Sequence, residues 1–225
     1  MFYIVEQEDK LQNLQNLIKL GVYVDVISSN DYYHPKLTST VAVYVRLIDS
    51  HHGFIIPINH DEGINVSKDR IYELLLSASK LYTLDKKALL YHFNLQDAID
   101  LSLLYSMTKY ERLEYSKDLS TINFFYNKFQ DFKNINELIP LSKLYESCEK
   151  AYEKVQDIIK YDIPSGFDFY NKTATNVFFL LEQSGLGIYY EEFNKLFKPR
   201  NPLYNTIDNK VLTSYNLYNA TSRPT

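Results

Sequence analysis

The chain has 225 residues, of which 45% are hydrophobic and 23% are charged, which is typical of a globular protein with enough apolar surface for a core. A formal net charge of −4 excludes a polycation that is drawn to nucleic acid by bulk charge. The single cysteine, Cys148, excludes an intramolecular disulfide and a cysteine-rich zinc site.

Strand and helix patterns alternate through the first 93 residues. Val22–Ser29 is a β-branched and aromatic run with one acid, Asp25, in its middle. Two more strand patterns follow after short turns, which predicts an antiparallel meander. In order, we predict strand 2–6, helix 8–20 ended by Gly21, strands 22–29, 41–49 and 54–59, a helix from Ser67 to 79, strand 80–84, and a helix from Asp85 to Phe93.

Helical patterns dominate from residue 121 onward. Leu138–Tyr161 has apolar residues at helical spacing, and Pro164-Ser-Gly166 interrupts the pattern. We place a domain boundary there and expect domains at 1–165 and 166–225. Within the second domain we predict helices at 167–184 and 189–197, followed by a strand pair over 205–218 with its turn at 208–209.

The N-terminus, Met1-Phe-Tyr-Ile, lacks a basic stretch followed by a long apolar core, so we expect no signal peptide. No apolar run approaches the roughly 18 residues that a membrane-spanning helix needs. We therefore expect a cytoplasmic protein without membrane partners.

Asp25 is the first candidate site residue. An ionisable side chain in an apolar strand costs several kcal/mol unless something compensates its charge. It therefore indicates a metal, a hydrogen-bond network or the remnant of a site. A lysine partner at the rim of the sheet is the structural alternative.

Several segments, taken in chain order, match one known pattern. A strand, a helix and a strand that carries an acid open the chain, Phe54-Ile-Ile-Pro-Ile-Asn-His60 follows a glycine turn, and Phe178–Ile188 ends the helix predicted at 167–184. In this order they resemble the start of the 3′–5′ exonuclease domain, its third strand and the start of the thumb in family A DNA polymerases. Thr213–Thr225 resembles the stretch that leads into the palm and contacts primer–template.

In that last stretch Ala220, Thr221 and Arg223 match the family pattern, while Ser222 replaces a glycine. The resemblance implies an α/β fold, with a ribonuclease-H-like (DEDD exonuclease-like) mixed sheet flanked by helices. A small, mostly helical C-terminal segment with a strand pair would follow. The palm acids and the fingers lysine are not in this chain, and the thumb region is much shorter than usual.

The family's exonuclease site holds two metal ions with four carboxylates, and the resemblance maps each onto this chain. Asp25 matches the first, but Ile27 stands at the second. Ala88, or Leu89 in a shifted alignment, stands at the third. Tyr145-Glu-Ser-Cys-Glu149 offers a glutamate for the fourth. Because two divalent ions need several oxygen ligands, we predict a vestigial site, Asp25 and Glu149, that holds no metal.

Other polar residues are weaker candidates. Asp31 or Asp100 could substitute as a ligand, although capping of a turn or helix is the plainer reading for both. His51-His52 fits a solvated turn. Lys198 and Arg200 lie in a small basic cluster that is either a solvated helix end or a phosphate contact.

The leading hypothesis is the N-terminal portion of a family A-like polymerase from an A/T-rich, phage-like genome, in the host cytoplasm if phage-encoded. It would be an inactive scaffold that positions DNA, with Thr221, Arg223, Lys198 and Arg200 as nucleic-acid contacts. Its partners would be primer–template DNA and a C-terminal polymerase portion, in cis or as a separate chain. The alternatives are an active Mg²⁺- or Mn²⁺-dependent exonuclease with altered ligands, and a non-catalytic interaction protein unrelated to replication.

Overall fold

A six-stranded mixed sheet with helices on both faces forms the centre of the computed structural model. The model describes residues 2–28, 36, 38–48, 50–111, 113, 139–187, 205–207 and 210–212. The expected helix at 189–197, the phenylalanines near residue 125 and all residues after 212 lie outside these ranges. In the described ranges, no helix is both long and apolar enough to cross a bilayer.

The strands of the main sheet lie in the order β1-β4-β3-β2-β5-β6. Their bounds are β1 Phe2–Ile4, β2 Val22–Ser28, β3 Thr40–Leu47, β4 Gly53–Pro57, β5 Leu81–Thr83 and β6 Ile99–Asp100. Strands β2, β3 and β4 are joined by antiparallel pairing, which confirms the predicted meander. Strands β1, β5 and β6 join by parallel pairing.

Helices cover the two faces of this sheet. Their bounds are α1 Glu8–Leu17, α2 Lys68–Leu76, α3 Lys86–His92, α4 Leu101–Lys109, α5 Leu141–Val155 and α6 Thr175–Ser184. A 3-10 turn, Gln156–Lys160, extends α5, and a π-helical segment, Phe169–Ala174, leads into α6. Helix α5 begins at Leu141, with Pro140 at its N-cap position, because a proline disfavours helical backbone at the residue before it.

Three predicted helix boundaries depend on local capping chemistry that the structure confirms. Ser67 accepts a hydrogen bond from the amide of Arg70 at the start of α2, and Asp85 accepts one from Ala88 at the start of α3. Gly21 follows the 3-10 turn after α1 with φ 118°, a conformation that side chains disfavour. Capping residues in the sequence therefore mark the starts of α2 and α3 and the end of the helical segment before β2.

Strand alternation divides the apolar residues of the sheet into two cores. One face carries Tyr23, Ile27 and Tyr44 and packs against α4 and α5. The other carries Val22 and Val24 and packs against α1, α2 and α3. Because side chains alternate along a strand, Asp25 lies on the same face as Tyr23 and Ile27, beneath α5.

The C-terminal described residues form a separate small sheet. Its strands are β7 Leu186–Gly187, β8 Asn205–Ile207 and β9 Lys210–Leu212, in the order β7-β9-β8. Strands β8 and β9 pair antiparallel from Ile207 and Lys210 outward, which confirms the predicted strand pair.

Candidate active site with degenerate metal ligands

Asp25 lies on an inner strand of the sheet, where only 7% of its surface is exposed. Its cross-strand neighbour on β3 is Tyr44, and Ile27 is opposite Ala42. The side chain is therefore buried on an inner strand, not placed at the rim of the sheet. Ile27 lies two residues further on and on the same face. Its hydrocarbon side chain stands where the resemblance expects the second metal-binding carboxylate.

Helix α5 brings Glu149 over this face of the sheet. The helix buries a stripe that includes Leu144, Tyr145, Cys148 and Tyr152, and these residues pack into the same core as Tyr23 and Tyr44. Cys148 is 2% exposed, so it is a core residue. The amphipathic spacing of α5 thus places a carboxylate, carried by a Tyr-x-x-x-Glu motif, on the Asp25 side of the sheet.

The Glu149 carboxylate is engaged on both oxygens by residues of β3. Nη1 of Arg46 lies 2.6 Å from Oε1, and the Tyr44 hydroxyl donates a hydrogen bond of 2.7 Å to Oε2. The Arg46 side chain is 10% exposed and the Glu149 side chain 20% exposed. The guanidinium carbon of Arg46 also lies 5.1 Å from the centre of the Tyr152 ring. Arg46 therefore supplies a fixed positive charge to Glu149, the carboxylate that the resemblance matches to the family's fourth ligand.

The surrounding tyrosines remain protonated because of this arrangement. Burial raises the pKa of the Tyr44 hydroxyl well above its ordinary value, and the hydrogen bond to Glu149 raises it further. Burial and a hydrogen bond to the same carboxylate also raise the pKa of Tyr145. Both hydroxyls therefore act as donors to Glu149.

Strand β4 approaches the same carboxylate with bare backbone. A Cβ atom added to Gly53 would lie 2.7 Å from the Tyr145 hydroxyl oxygen and 2.8 Å from Oε2 of Glu149. A larger residue at this position would collide with the buried ion pair. A side chain at this position would therefore displace the end of Tyr145 or of Glu149.

The resemblance maps the family's third ligand onto α3, at Ala88 or at the buried Leu89. Neither side chain has an oxygen that could coordinate a metal. Asp100 does not substitute, because its carboxylate caps α4 through the amide of Leu103 at 2.9 Å and accepts from the amide of Lys86 at 3.1 Å. This confirms the capping reading of Asp100, while Asp31 lies outside the described residues.

The residues present do not fit a pair of Mg²⁺ ions. Hard divalent ions need several oxygen ligands, but Ile27 and Ala88 offer none and Glu149 is paired with Arg46. Within the described ranges, no three His, Cys, Asp or Glu side chains form a group that could hold a metal. His51 and His52 are exposed in their turn, as expected for solvated residues.

A second polar cluster joins α3 to the segment that begins at residue 166. Lys86 is fully buried, and its ammonium donates to the carbonyl oxygens of Gln96 and Asn171, the latter at 2.7 Å. The Asn171 side chain donates to the Ala98 carbonyl at 3.0 Å and accepts from the Asp100 amide at 3.1 Å. Burial lowers the pKa of Lys86 to about 8.

Helix α6 completes this junction. Lys87 and Glu182 form an ion pair of 2.5 Å with side chains 13% and 1% exposed, and the Tyr91 hydroxyl donates to Glu182 at 3.1 Å. The Tyr91 ring meets Phe179 edge-to-face at 4.8 Å. Buried polar bonds therefore hold residues 166–184 against α3 and β6 in a defined arrangement.

Sequence reasoning missed the residues that neutralise Glu149. Tyr44 and Arg46 lie in a run predicted as an ordinary strand, 105 and 103 positions away from Glu149. A signal was present, because Tyr44 and Arg46 alternate with valines and so share one face of the strand. The proposed nucleic-acid residues Lys198, Arg200, Thr221 and Arg223 lie outside the described residues and stay predictions.

The sheet order, the flanking helices and the position of the Tyr-x-x-x-Glu helix define a ribonuclease-H-like fold of the DEDD exonuclease type. Comparison with solved structures agrees. Trypanosoma brucei RNase D superposes with a TM-score of 0.55 at 10% identity, over 80% of this chain and 73% of that one. The described residues thus share the fold of this exonuclease-type structure.

Two further structures are similar at lower scores. Brucella melitensis NrnC has a TM-score of 0.48 at 13% identity, over 82% of this chain and 95% of that one. The Aedes aegypti Nibbler EXO domain has a TM-score of 0.45 at 11% identity, over 80% and 94%. One NrnC structure contains bound Mg²⁺. No protein-family model and no curated protein matches the chain. At these identities the likeness establishes the fold alone.

Proposed function

We propose that this chain is a catalytically inactive exonuclease-like module that serves as a scaffold for DNA replication. The observation that supports it is the state of Glu149, which is paired with Arg46 and hydrogen-bonded by Tyr44. An Arg–carboxylate pair cannot also neutralise a divalent cation at the same oxygens. With Ile27 and Ala88 at two more of the positions that the resemblance maps, Asp25 is the one acid of the family's pattern that this chain keeps.

The replication context rests on the resemblance to family A polymerases. In this proposal residues 1–165 are the exonuclease-like domain, and residues 166–225 begin the polymerase domain. The primer–template contacts would be Thr221, Arg223, Lys198 and Arg200. The remaining polymerase portion would follow in cis or as a separate chain. The bonds of Asn171 and Glu182 support a scaffold role, because they fix residues 166–184 to the exonuclease-like sheet.

A degradation assay tests the proposal. Purified chain is incubated with 5′-labelled single-stranded DNA and either Mg²⁺ or Mn²⁺, beside an Asp25→Ala variant. We expect no shortening from the 3′ end in either sample. Metal-dependent shortening that disappears in Asp25→Ala would establish the competing function, an active exonuclease with rearranged ligands.

The scaffold role itself is tested by binding. Fluorescence anisotropy should detect the chain on labelled primer–template when the polymerase portion is present, with affinity that falls steeply as salt is raised. An Arg223→Gln variant should reduce the salt slope by about one ion, because one phosphate contact is lost. If the chain binds neither DNA nor the polymerase portion, the result would instead favour an interaction protein unrelated to replication.

A further inference from the structure

Helix α6 and the π-helical segment before it carry an apolar face that is exposed among the described residues. Five large side chains form this face, and each is between 47% and 59% exposed: Phe169, Tyr170, Val177, Leu180 and Leu181. The last three recur at helical spacing, so they lie on one side of α6. The first two extend the apolar face from the π-helical segment.

The opposite side of α6 is fixed to the main domain. Phe179 is 7% exposed and meets the Tyr91 ring edge-to-face at 4.8 Å. Glu182 is 1% exposed and forms its ion pair with Lys87 at 2.5 Å. Because these contacts set the rotation of the helix, the apolar face cannot turn towards the core.

The apolar face has no charged side chain. Between residues 169 and 184 the only charged residues are Lys172 and Glu182. Lys172 lies 3.5 Å from Asp97, and Glu182 belongs to the buried side of the helix. A helix that is apolar on both sides is typical of a helix with packing partners on both sides.

The area of the face limits what can cover it. About half of five side chains, each on the order of 150–200 Å² in area, gives roughly 400–500 Å². A stable interface between two protein molecules needs roughly 800 Å² from each partner. The face is therefore small for a dimer of this chain, but its size suits a single short helix.

The residues that follow α6 have the pattern of such a helix. Within the helix predicted at 189–197, apolar residues occur at i, i+1, i+4, i+7 and i+8, and they are Tyr189, Tyr190, Phe193, Leu196 and Phe197. Glu191, Glu192 and Lys195 fall outside this stripe. A nine-residue helix is roughly 13 Å long and presents its apolar stripe along that length.

The connection between the two segments is short. Helix α6 ends at Ser184, and Gly185 follows at its C-cap with φ 62°. Four residues, 185–188, therefore separate α6 from Tyr189. Antiparallel helix pairs are commonly joined by about 2–5 residues, and a tether of this length gives an effective concentration on the order of millimolar.

We infer that residues 189–197 form an amphipathic helix that packs antiparallel on the apolar face of α6. In this hairpin Phe193 would lie opposite Leu180, and Leu196 opposite Val177. The inference does not depend on the proposed replication role, because it rests on α6 and on the residues that follow it.

Disulfide trapping in the full chain tests this arrangement. The test pair is Val177→Cys with Leu196→Cys, and the matched control pair is Val177→Cys with Lys195→Cys, which lies on the other side of the predicted helix. The parent is a further control, because its single cysteine, Cys148, is buried. Non-reducing electrophoresis separates disulfides within one chain from disulfides between chains, and circular dichroism checks the fold.

We expect the test pair to form a disulfide within one chain at least about tenfold faster than the control pair, because only its side chains face each other. Adding Leu180→Asp to the test pair should slow the reaction to about the control rate, because a charge would be buried between the helices. Equal rates in the two pairs would show that the tether alone brings the cysteines together, and would overturn the inference. Disulfides mainly between chains, or none in either pair, would overturn it as well.

Amide hydrogen exchange gives a second test that needs no cysteine variant. Amides of residues 193–197 should exchange at least about tenfold more slowly in the parent than in Leu180→Asp, because a docked helix opens less often. Equal exchange in the two proteins would contradict the docking of this segment on α6.

Discussion

The pair formed by Arg46 and Glu149 makes the most specific energetic prediction. Two unit charges about 4 Å apart attract by about 4 kcal/mol at an effective dielectric constant of about 20. Removing one partner of a buried pair typically costs about 3–5 kcal/mol, because the other charge stays buried. Glu149→Gln keeps an acceptor for Tyr44 while it removes the charge. Since the Glu149 side chain is 20% exposed, we expect a loss of about 3 kcal/mol, at the lower end of that range.

A double-mutant cycle isolates this term. Arg46→Met alone should also destabilise the fold, partly through the lost contact with the Tyr152 ring. The double variant Arg46→Met/Glu149→Gln has neither charge. Its free energy of unfolding should be within about 1.5 kcal/mol of that of the parent. Glu146→Gln, on the exposed part of the same helix, is the control and should cost less than about 0.5 kcal/mol.

Urea unfolding at pH 7, followed by far-ultraviolet circular dichroism, measures these differences. Tyrosine fluorescence is the second probe, because the chain has 21 tyrosines and no tryptophan. If Glu149→Gln is as stable as the parent, the ion pair is not closed in solution. Glu149 would then be available to a metal, and the reasoning that makes the site inactive would be refuted.

Three further predictions concern the surroundings of the site. Burial lowers the pKa of Lys86 from 10.5 to about 8, so the folded state loses this proton at a lower pH than the unfolded state does. The free energy of unfolding should therefore rise by about 1–2 kcal/mol between pH 8 and 9.5. Urea unfolding measures this rise, which should be absent in Lys86→Met. Gly53→Ala should lose about 1–3 kcal/mol in the same assay because the new Cβ would displace Tyr145 or Glu149, whereas Gly187→Ala, which has no atom of the described residues within 4 Å, should not. Glu182→Gln leaves Lys87 without its 2.5 Å partner, so amide hydrogen exchange in α6 should become faster while that of β3 stays slow.

Local features of the fold were predictable because their causes are local. Ser67 and Asp85 mark helix starts through their own side chains, and Gly21 marks an ending through its backbone. The β-branched and aromatic run Val22–Ser29 indicated a strand, although its pairing partners are set by the whole sheet. Strand β6, only two residues long, has too few residues to show any pattern.

The state of the site depended on contacts that no local pattern shows. The sequence identified Asp25 and Glu149, but the partner of Glu149 is 103 positions away on β3. Lys86 follows a helix cap and reads as a surface residue, yet the carbonyl of Asn171 accepts from it across 85 positions. The burial and the partners of Glu149 and Lys86 depend on tertiary packing, because residues far apart in the sequence supply both.

The central claim, that this exonuclease-like site no longer holds metal, is tested most directly by Mn²⁺ binding. Electron paramagnetic resonance of a Mn²⁺ titration counts saturable sites on the parent chain, on Asp25→Ala and on Glu149→Gln. We predict that all three proteins have the same number of saturable Mn²⁺ sites, because Ile27 and Ala88 supply no ligand and Arg46 is paired with Glu149. A Mn²⁺ site in the parent that disappears in both variants would contradict the account.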